Sequence, residues 1–406
     1  MAVSLIGDGI FVVAIAWESY SLWNAPAALA IVGIGMTVPT IAFLLVGGVV
    51  SDRHDRRRVM LCADGLRAAA VGTLALLVSV GTLRFWELVA LVGFYGAGTA
   101  FFTPAFEAKV PELLPPADLP AANSLDQFVR PIGLRLLGPV VGGTLMAVSA
   151  GLAFAVDAAS FAASLAAVAA LPQNPRPRVE LDVSHRAALA EGLRFVRHRV
   201  WLWGTLLSAA IAYLVFLGPA EVLLPYVVKN DLHASAGTLG LVLAAGGLGA
   251  VAAAIYMGQR AHPRRDVTVM YVTWTLATLA IAGYAIANAA WQLMLACLLF
   301  NALEAVGTIV WATIKQRHVP GSMLGRVSSL DWLISIALLP ISFALTAPVA
   351  AALGARTTLL GAAVIGAVVT LAAYFLPGMR SIERRTPPSP EASPLPPANA
   401  PAASLR

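Results

Sequence analysis

Charge is what this chain has least of. Of its 406 residues only 12% are Asp, Glu, Lys or Arg, while 59% are hydrophobic. A water-soluble domain carries roughly 25% charged residues. So few polar side chains cannot enclose a core of this size in water, and lipid must cover the outside. Cysteine is equally scarce. Cys62 and Cys297 each lie inside an apolar run, which excludes a disulfide framework and a thiolate metal site. No basic residue precedes the first apolar run and no clear cleavage site follows it, so it reads as a retained span. The net charge of +6 is no sign of nucleic-acid binding. The arginines stand in short gaps between apolar runs, where they act as topology signals.

What the chain has in quantity is long apolar runs. Twelve candidate spans lie near 3–20, 27–50, 59–80, 86–108, 123–147, 152–171, 201–226, 236–258, 267–287, 291–314, 327–350 and 356–377. Each is close to the roughly 20 residues that a helix needs to cross the hydrocarbon. Backbone polar groups cannot go unpaired in lipid, so the spans are helices. Lys and Arg crowd one set of alternating gaps: 51–58, Lys109, 172–200, 259–265, 315–326 and the tail. Only Arg84, Lys229 and Arg356 fall in the other set. Positive residues mark the cytoplasm. The expectation is a multi-pass protein of the plasma membrane with both termini cytoplasmic.

The chain also repeats itself. Val110-Pro111 and Val319-Pro320 lie 209 residues apart, and each is followed by a short loop and then Ser-Leu-Asp opening a span. A six-plus-six duplication explains this. It divides the chain into a first bundle at 1–171, a linker at 172–200, a second bundle at 201–378 and a proline-rich disordered tail at 379–406. In the linker, Leu189, Leu193 and Val196 recur at i, i+4, i+7 with arginines beside them, the pattern of an amphipathic helix on the membrane surface.

The most charged stretch is GGVVSDRHDRRRV, Gly47 to Val59, after the second span. It fits Gly-x-x-x-Asp-Arg-x-x-Arg-Arg as Gly48, Asp52, Arg53, Arg56 and Arg57. With SLIGDGIF, AANSLDQFVRPIGLRLLGP and EGLRFVR, it resembles the loop signature of the major facilitator superfamily, and the whole chain is similar to that superfamily's drug and siderophore exporters. Asp55 stands where the superfamily usually has glycine. The resemblance implies an all-α membrane fold of 12 transmembrane helices in two pseudo-symmetric six-helix bundles. It also implies that Asp52 faces the N-terminus of the eleventh span near Val327. Gly48 permits close helix approach, and an anion suits a helix N-terminus. Glu107 is the expected partner of Arg56. Such contacts would latch the two halves on the cytoplasmic side; a plain positive-inside anchor is the simpler reading.

Gly138, Pro139, Gly142 and Gly143 spell GPVVGG, which resembles the antiporter motif of superfamily exporters. Pro139 removes one helical hydrogen bond, and the glycines let another helix come close. The further glycine of the full motif is expected at 134, where this chain has Leu134; Gly133 is one residue out of register. Ordinary small-residue packing is the alternative.

Charges within spans are costly and mark function by default. Asp64 and Arg67 can pair at i, i+3, and Asp126 and Arg130 at i, i+4. The superfamily architecture puts the first, fourth, seventh and tenth helices around the cavity. That favours Asp8, Glu18, Glu221 and Glu304 over Asp157 as cavity or proton-coupling residues. One absence runs against proton coupling: drug exporters of this type often carry an arginine where this chain has Val92. The expected function is secondary active export of a hydrophobic or amphipathic small molecule, coupled to protons, by a monomer in the bilayer with no cofactor and no metal. Facilitated uptake and lipid flipping are alternatives within the fold. A lipid-head-group transferase using Asp52, Asp55 and Asp64 is the alternative of another class, but the rest of the third span lacks the acids it would need.

Overall fold

The structure, a computed structural model, describes residues 2–115, 118, 125, 129–172, 193–259 and 263–383. Among these residues every regular element is a helix. The first six spans are α1 (Ala2–Leu22), α2 (Pro26–Arg53), α3 (Arg56–Ser79), α4 (Phe85–Leu113), a π-helical turn (Ile132–Leu137) running into α5 (Gly138–Val148), and α6 (Ala150–Ala169). The second six begin with α7 (Val200–Tyr226), which ends in a π-helical turn (Val227–Asp231), and α8 (Ala236–Gly258). Then come α9 (Asp266–Ala280) with the short α10 (Ala282–Ile286), α11 (Ala290–His318), α12 (Gly321–Ala337) with α13 (Leu339–Leu353), and α14 (Ala355–Tyr374). Among the described residues eleven crossings are long and apolar enough to span a bilayer as single helical stretches. The other is shared by α12 and α13. Pro340 opens α13, and its missing N–H and its ring break the helix there.

Each half has its own core. Phe11, Val71, Leu74, Leu88, Phe154 and Phe161 pack together in the first. Trp201, Tyr271, Val310 and Trp311 do so in the second. Trp201 is therefore a buried core residue, whereas Trp23, Trp86 and Trp291 are exposed. A further cluster joins the halves, with Val13, Ala16 and Ala30 set against Phe216, Val222, Leu239 and Phe343. It is built where α2 meets α13 and α5 meets α8.

This junction lies toward the end bearing the 22–26 turn, the end poor in basic residues. There the Tyr20 hydroxyl donates to the Val222 carbonyl at 2.5 Å, Asn24 Nδ2 to Asn230 Oδ1 at 2.7 Å, and Lys229 Nζ to Ser21 Oγ at 2.9 Å. At the basic end, a Cβ added at Gly48 would meet nothing within 4 Å. Among the described residues the close approach expected at Gly48 is not seen, while the halves meet at the other end.

Two boundaries differ from expectation. Residues 379–383, expected to be tail, are packed: Met379 is fully buried against Thr205 and Tyr271, and Glu383 Oε1 accepts the Thr268 N–H at 2.6 Å near the start of α9. In the linker, most of the expected amphipathic helix lies outside the described residues. Of its described apolar residues, Val196 packs into the second-half core while Leu193 is exposed.

Candidate functional site

The charged loop binds the first half to itself. Asp55 is the N-cap of α3: its extended backbone leads into the helix, and its Oδ1 accepts the Arg57 N–H at 3.0 Å. That explains an acid where the superfamily has glycine, since Asp satisfies a helix-start donor that glycine leaves open. Asp55→Ala is expected to cost about 1 kcal/mol, read as a lowered melting midpoint of the detergent-solubilised protein. Asp55→Asn keeps the acceptor and should melt as the parent does.

Arg56 bonds Glu112 at 2.9 Å and also donates to the Ala108 carbonyl. The acid it meets is thus Glu112, not Glu107, which is exposed. The reason is that α4 runs five residues past the expected end at 108, carrying Glu112 alongside α3. Arg57 donates to Val168 O and Ala169 O at the C-terminal end of α6, where a cation offsets the helix dipole. Lys109, nearly fully buried, pairs with Glu112 at 3.1 Å and donates to Pro172 O. Among the described residues, these contacts lie within the first half. Arg53 is exposed, and the Asp52 side chain lies outside what the structure describes.

Deeper in the first half is a group of acids. Tyr95 Oη of α4 donates to Asp8 Oδ1 of α1 at 2.6 Å, and the Tyr95 ring stacks on Phe11 at 4.3 Å. Asp157 of α6 is fully buried. Its Oδ1 accepts from Ser160 Oγ at 3.3 Å, and its Oδ2 has no hydrogen-bond partner. Asp64 and Arg67 of α3 are directly paired, and Ser164 Oγ donates to Asp64 Oδ2 at 2.7 Å. The Arg67 guanidinium lies over the rings of Phe102 and Phe161, 4.4 and 4.7 Å from their centroids, a cation–π arrangement. Its charge reaches Asp8 and Asp157, which also act on each other; Arg130 acts on Asp8 as well. The group holds three carboxyls around one buried guanidinium, with the exposed Arg130 at its edge. Asp126, the expected partner of Arg130, is outside the described residues.

Sequence reasoning ranked Asp157 below Asp8 because the sixth helix is peripheral in the superfamily. The structure brings it inward through Gly7. A Cβ at Gly7 would collide with Asp157 Oδ1 and Ser160 Oγ, so α1 and α6 touch beside Asp8. A glycine one residue before the in-span acid was the available signal.

The GPVVGG residues Gly138, Pro139, Gly142 and Gly143 are all buried. Gly138 and Gly142 face α1, where added Cβ atoms would strike Gly9 and Ile10. Gly143 faces α8, against Gly237 and Gly240. The motif is therefore small-residue packing on two sides, one of them across the halves. The π turn also accounts for Gly133. The Gly138 N–H bonds Gly133 O, five residues back, so the wide turn stacks Gly133 beneath Gly138, as an α-turn would stack residue 134. Gly133 packs on Leu5 and Ile6 of α1.

The remaining candidates are dispersed. Glu18 is half-buried where the halves meet and interacts with Lys229; Lys229 also lies 5.0 Å from the Trp17 ring centroid. Glu304 accepts from Thr308 Oγ1 at 2.8 Å and lines a partly open cleft in the second half with Tyr213, Trp274 and Phe300. Glu221 is exposed between the buried Ala220 and Val222. Asp8 and Glu304 lie in different halves and are not brought together. Among the described residues no cluster of His, Cys, Asp and Glu could hold a metal.

Twelve membrane crossings in two halves, joined at one end and carrying buried charge, define a transporter fold of the major facilitator type. The chain belongs to the family described as transmembrane secretion effector, whose profile matches residues 1–398. The enterobactin exporter EntS of Citrobacter koseri is 29% identical over 97% of this chain and 94% of its own length. The multidrug efflux pump Tap of Mycolicibacterium fortuitum is 29% identical over 94% of this chain and 95% of its own. A solved bacterial homologue of the iron transporter ferroportin superposes with a TM-score of 0.65 at 19% identity, over 91% of this chain and 97% of that one. The family and these relatives are transporters, not enzymes.

Proposed function

We propose that this protein exports hydrophobic or amphipathic small molecules, driven by proton entry, by rocking its two halves about a central site. The names of the enterobactin exporter and the multidrug pump support the direction and the class of cargo. The lopsided distribution of Lys and Arg supports cytoplasmic termini. On that orientation the joined end is the outer one, and the conformation is open to the cytoplasm. Opening outward then requires breaking Tyr20–Val222, Asn24–Asn230 and Lys229–Ser21, and parting Gly143 from Gly240. In that state Gly48 and Asp52 have room to take up the cytoplasmic latch.

The observation that carries the coupling is the Asp8–Tyr95–Asp157 group. An unpaired carboxylate buried in a membrane bundle is expensive, and Asp157 Oδ2 has no donor facing it. A proton on one of these acids relieves the excess negative charge, and its departure restores it. Each proton entering can draw about 2.3 kcal/mol per 100 mV from the membrane potential.

The test is expression in an efflux-deficient bacterial host, followed by accumulation assays with macrolides, dyes and siderophores, with and without an uncoupler. The expected result is reduced accumulation of at least one class, reversed by the uncoupler. Asp8→Asn and Asp157→Asn, expressed at the parental level, should abolish that export. Full, uncoupler-sensitive export by Asp8→Asn would remove that carboxyl from the mechanism.

A further inference from the structure

Glu304 of α11 takes no part in the acid group of the first half, although a carboxyl within a span is costly. It lies on the wall of the cleft between α7, α9, α11 and α14. The cleft offers about 430 Å³ of atom-free space, counted out to its open mouth. Two glycines make that room. A Cβ at Gly307 would stand 2.4 Å from Cδ1 and Nε1 of Trp274, so the indole lies directly on the α11 backbone. Gly307 is three residues from Glu304 and shares its face of the helix. A Cβ at Gly366 of α14 would crowd Thr278 and Phe216 at 2.8 and 3.3 Å. Phe216 meets Tyr213 edge-on at 5.6 Å between ring centroids and Phe300 at 6.2 Å, so the three form an unbroken aromatic row along the cleft.

Among the described residues that line the cleft, Glu304 is the single charged group. It accepts one hydrogen bond, from Thr308 at 2.8 Å, and none of the ion pairs among the described residues includes it. Lys315, further along α11, is taken by Asp331 of α12. The hydroxyls of Thr205, Thr278 and Thr370 donate to carbonyls of their own helices and leave no proton for an anion. Ala277, Thr278 and Thr370 are buried, whereas Tyr213, Phe300 and Glu304 are partly exposed. The mouth is therefore carried by α7 and α11, and the rear by α9 and α14.

We propose that this cleft is a side pocket of the second half that binds an amphipathic organic cation, with Glu304 as the counter-charge and Trp274, Tyr213 and Phe300 as the aromatic wall. Aromatic rings attract a cation, the more so away from water, and this is how quaternary onium groups are recognised. Such a group has no N–H to satisfy, so one carboxylate and aromatic surface suffice. A small inorganic cation does not fit the same wall, because it needs six or more oxygen ligands and Glu304 is the one carboxylate there. This inference deepens the exporter reading by naming a cargo class and rests on it for its physiological meaning, though its test does not require transport.

The probes are radiolabelled methyltriphenylphosphonium and triphenylphosphine oxide, which share the triphenylphosphorus skeleton and differ in charge. Equilibrium dialysis against the purified full-length protein in detergent measures both without a membrane potential. The parent is expected to bind the phosphonium saturably and the neutral oxide more weakly. Glu304→Gln should weaken the phosphonium about tenfold, the effect of about 1.4 kcal/mol, and the oxide less than about twofold. Glu304→Asp keeps the charge and should stay closer to the parent than Glu304→Gln does. Gly307→Ala displaces the Trp274 indole and should weaken both probes by a similar factor, which ties the binding to this cleft. A folding defect in Glu304→Gln would weaken both probes and would not be repaired by Glu304→Asp. The proposal is overturned if the parent shows no saturable phosphonium binding, if Glu304→Gln binds the phosphonium as the parent does or shifts both probes alike, or if Gly307→Ala leaves both unchanged. A protein that exports nothing in cells would defeat the exporter reading and leave this binding result standing, whereas export without charge-selective binding would do the reverse.

Discussion

Replacing Arg67 with alanine is expected to destabilise the protein by about 3–5 kcal/mol, the range found when one partner of a buried ion pair is removed. Arg67 and Asp64 are both almost fully buried. Without the guanidinium, Asp64 keeps only Ser164 as a donor, and Asp8 and Asp157 lose the buried positive charge they share. The Phe102 and Phe161 rings also lose the cation between them. A fluorescent fusion of Arg67→Ala should give little monodisperse protein after solubilisation. The double variant Asp64→Leu/Arg67→Met removes both charges and keeps similar volume, so it should recover most of the lost yield and melting temperature. A parental melt for Arg67→Ala alone would mean that the pair is structurally idle.

Gly240→Val should abolish transport by a different route. A Cβ at Gly240 would meet the Pro139 carbonyl and the Gly143 backbone across the halves. Backbone cannot yield as a flexible side chain can, so the wedge disfavours the joined state as a whole. The expected outcome is a protein that folds but rests with its halves parted at the Tyr20–Val222 end. A cysteine placed at Ala30, with Cys62 and Cys297 replaced by alanine, reports this. Ala30 is buried in the cluster that joins the halves, so labelling by an impermeant maleimide should quicken in Gly240→Val. Unchanged labelling together with normal export would exclude the Gly143–Gly240 contact from the transport cycle. Gly143→Val makes the same test from the other side.

Both variants turn on residues whose presence was legible and whose partners were not. The Asp64–Arg67 pairing follows from three-residue spacing on one helix, and the fold places the two in direct contact. Ser164, one hundred residues away, is recorded by no local pattern. The GPVVGG motif was visible as letters, but that Gly143 meets Gly240 of the other half depends on how two bundles lean together. Arg56 was assigned the wrong acid because a helix end is set by packing, and α4 continues past the point where its apolar run stops.

What the sequence by itself determined is the membrane-crossing helical architecture. A scarcity of charge, twelve apolar runs and basic gaps on alternate loops leave no other way to satisfy the backbone in lipid. The in-span charges were equally plain, since each is costly wherever the chain goes. Only the tertiary structure decided which of them work together. It put Asp157 against Gly7 beside Asp8 and gave Arg56 Glu112 as a partner. The physical reason is that pairing of charges depends on distances between helices remote in sequence. Those distances are set by close approaches at Gly7, Gly138, Gly143 and Gly240, which a linear pattern does not record.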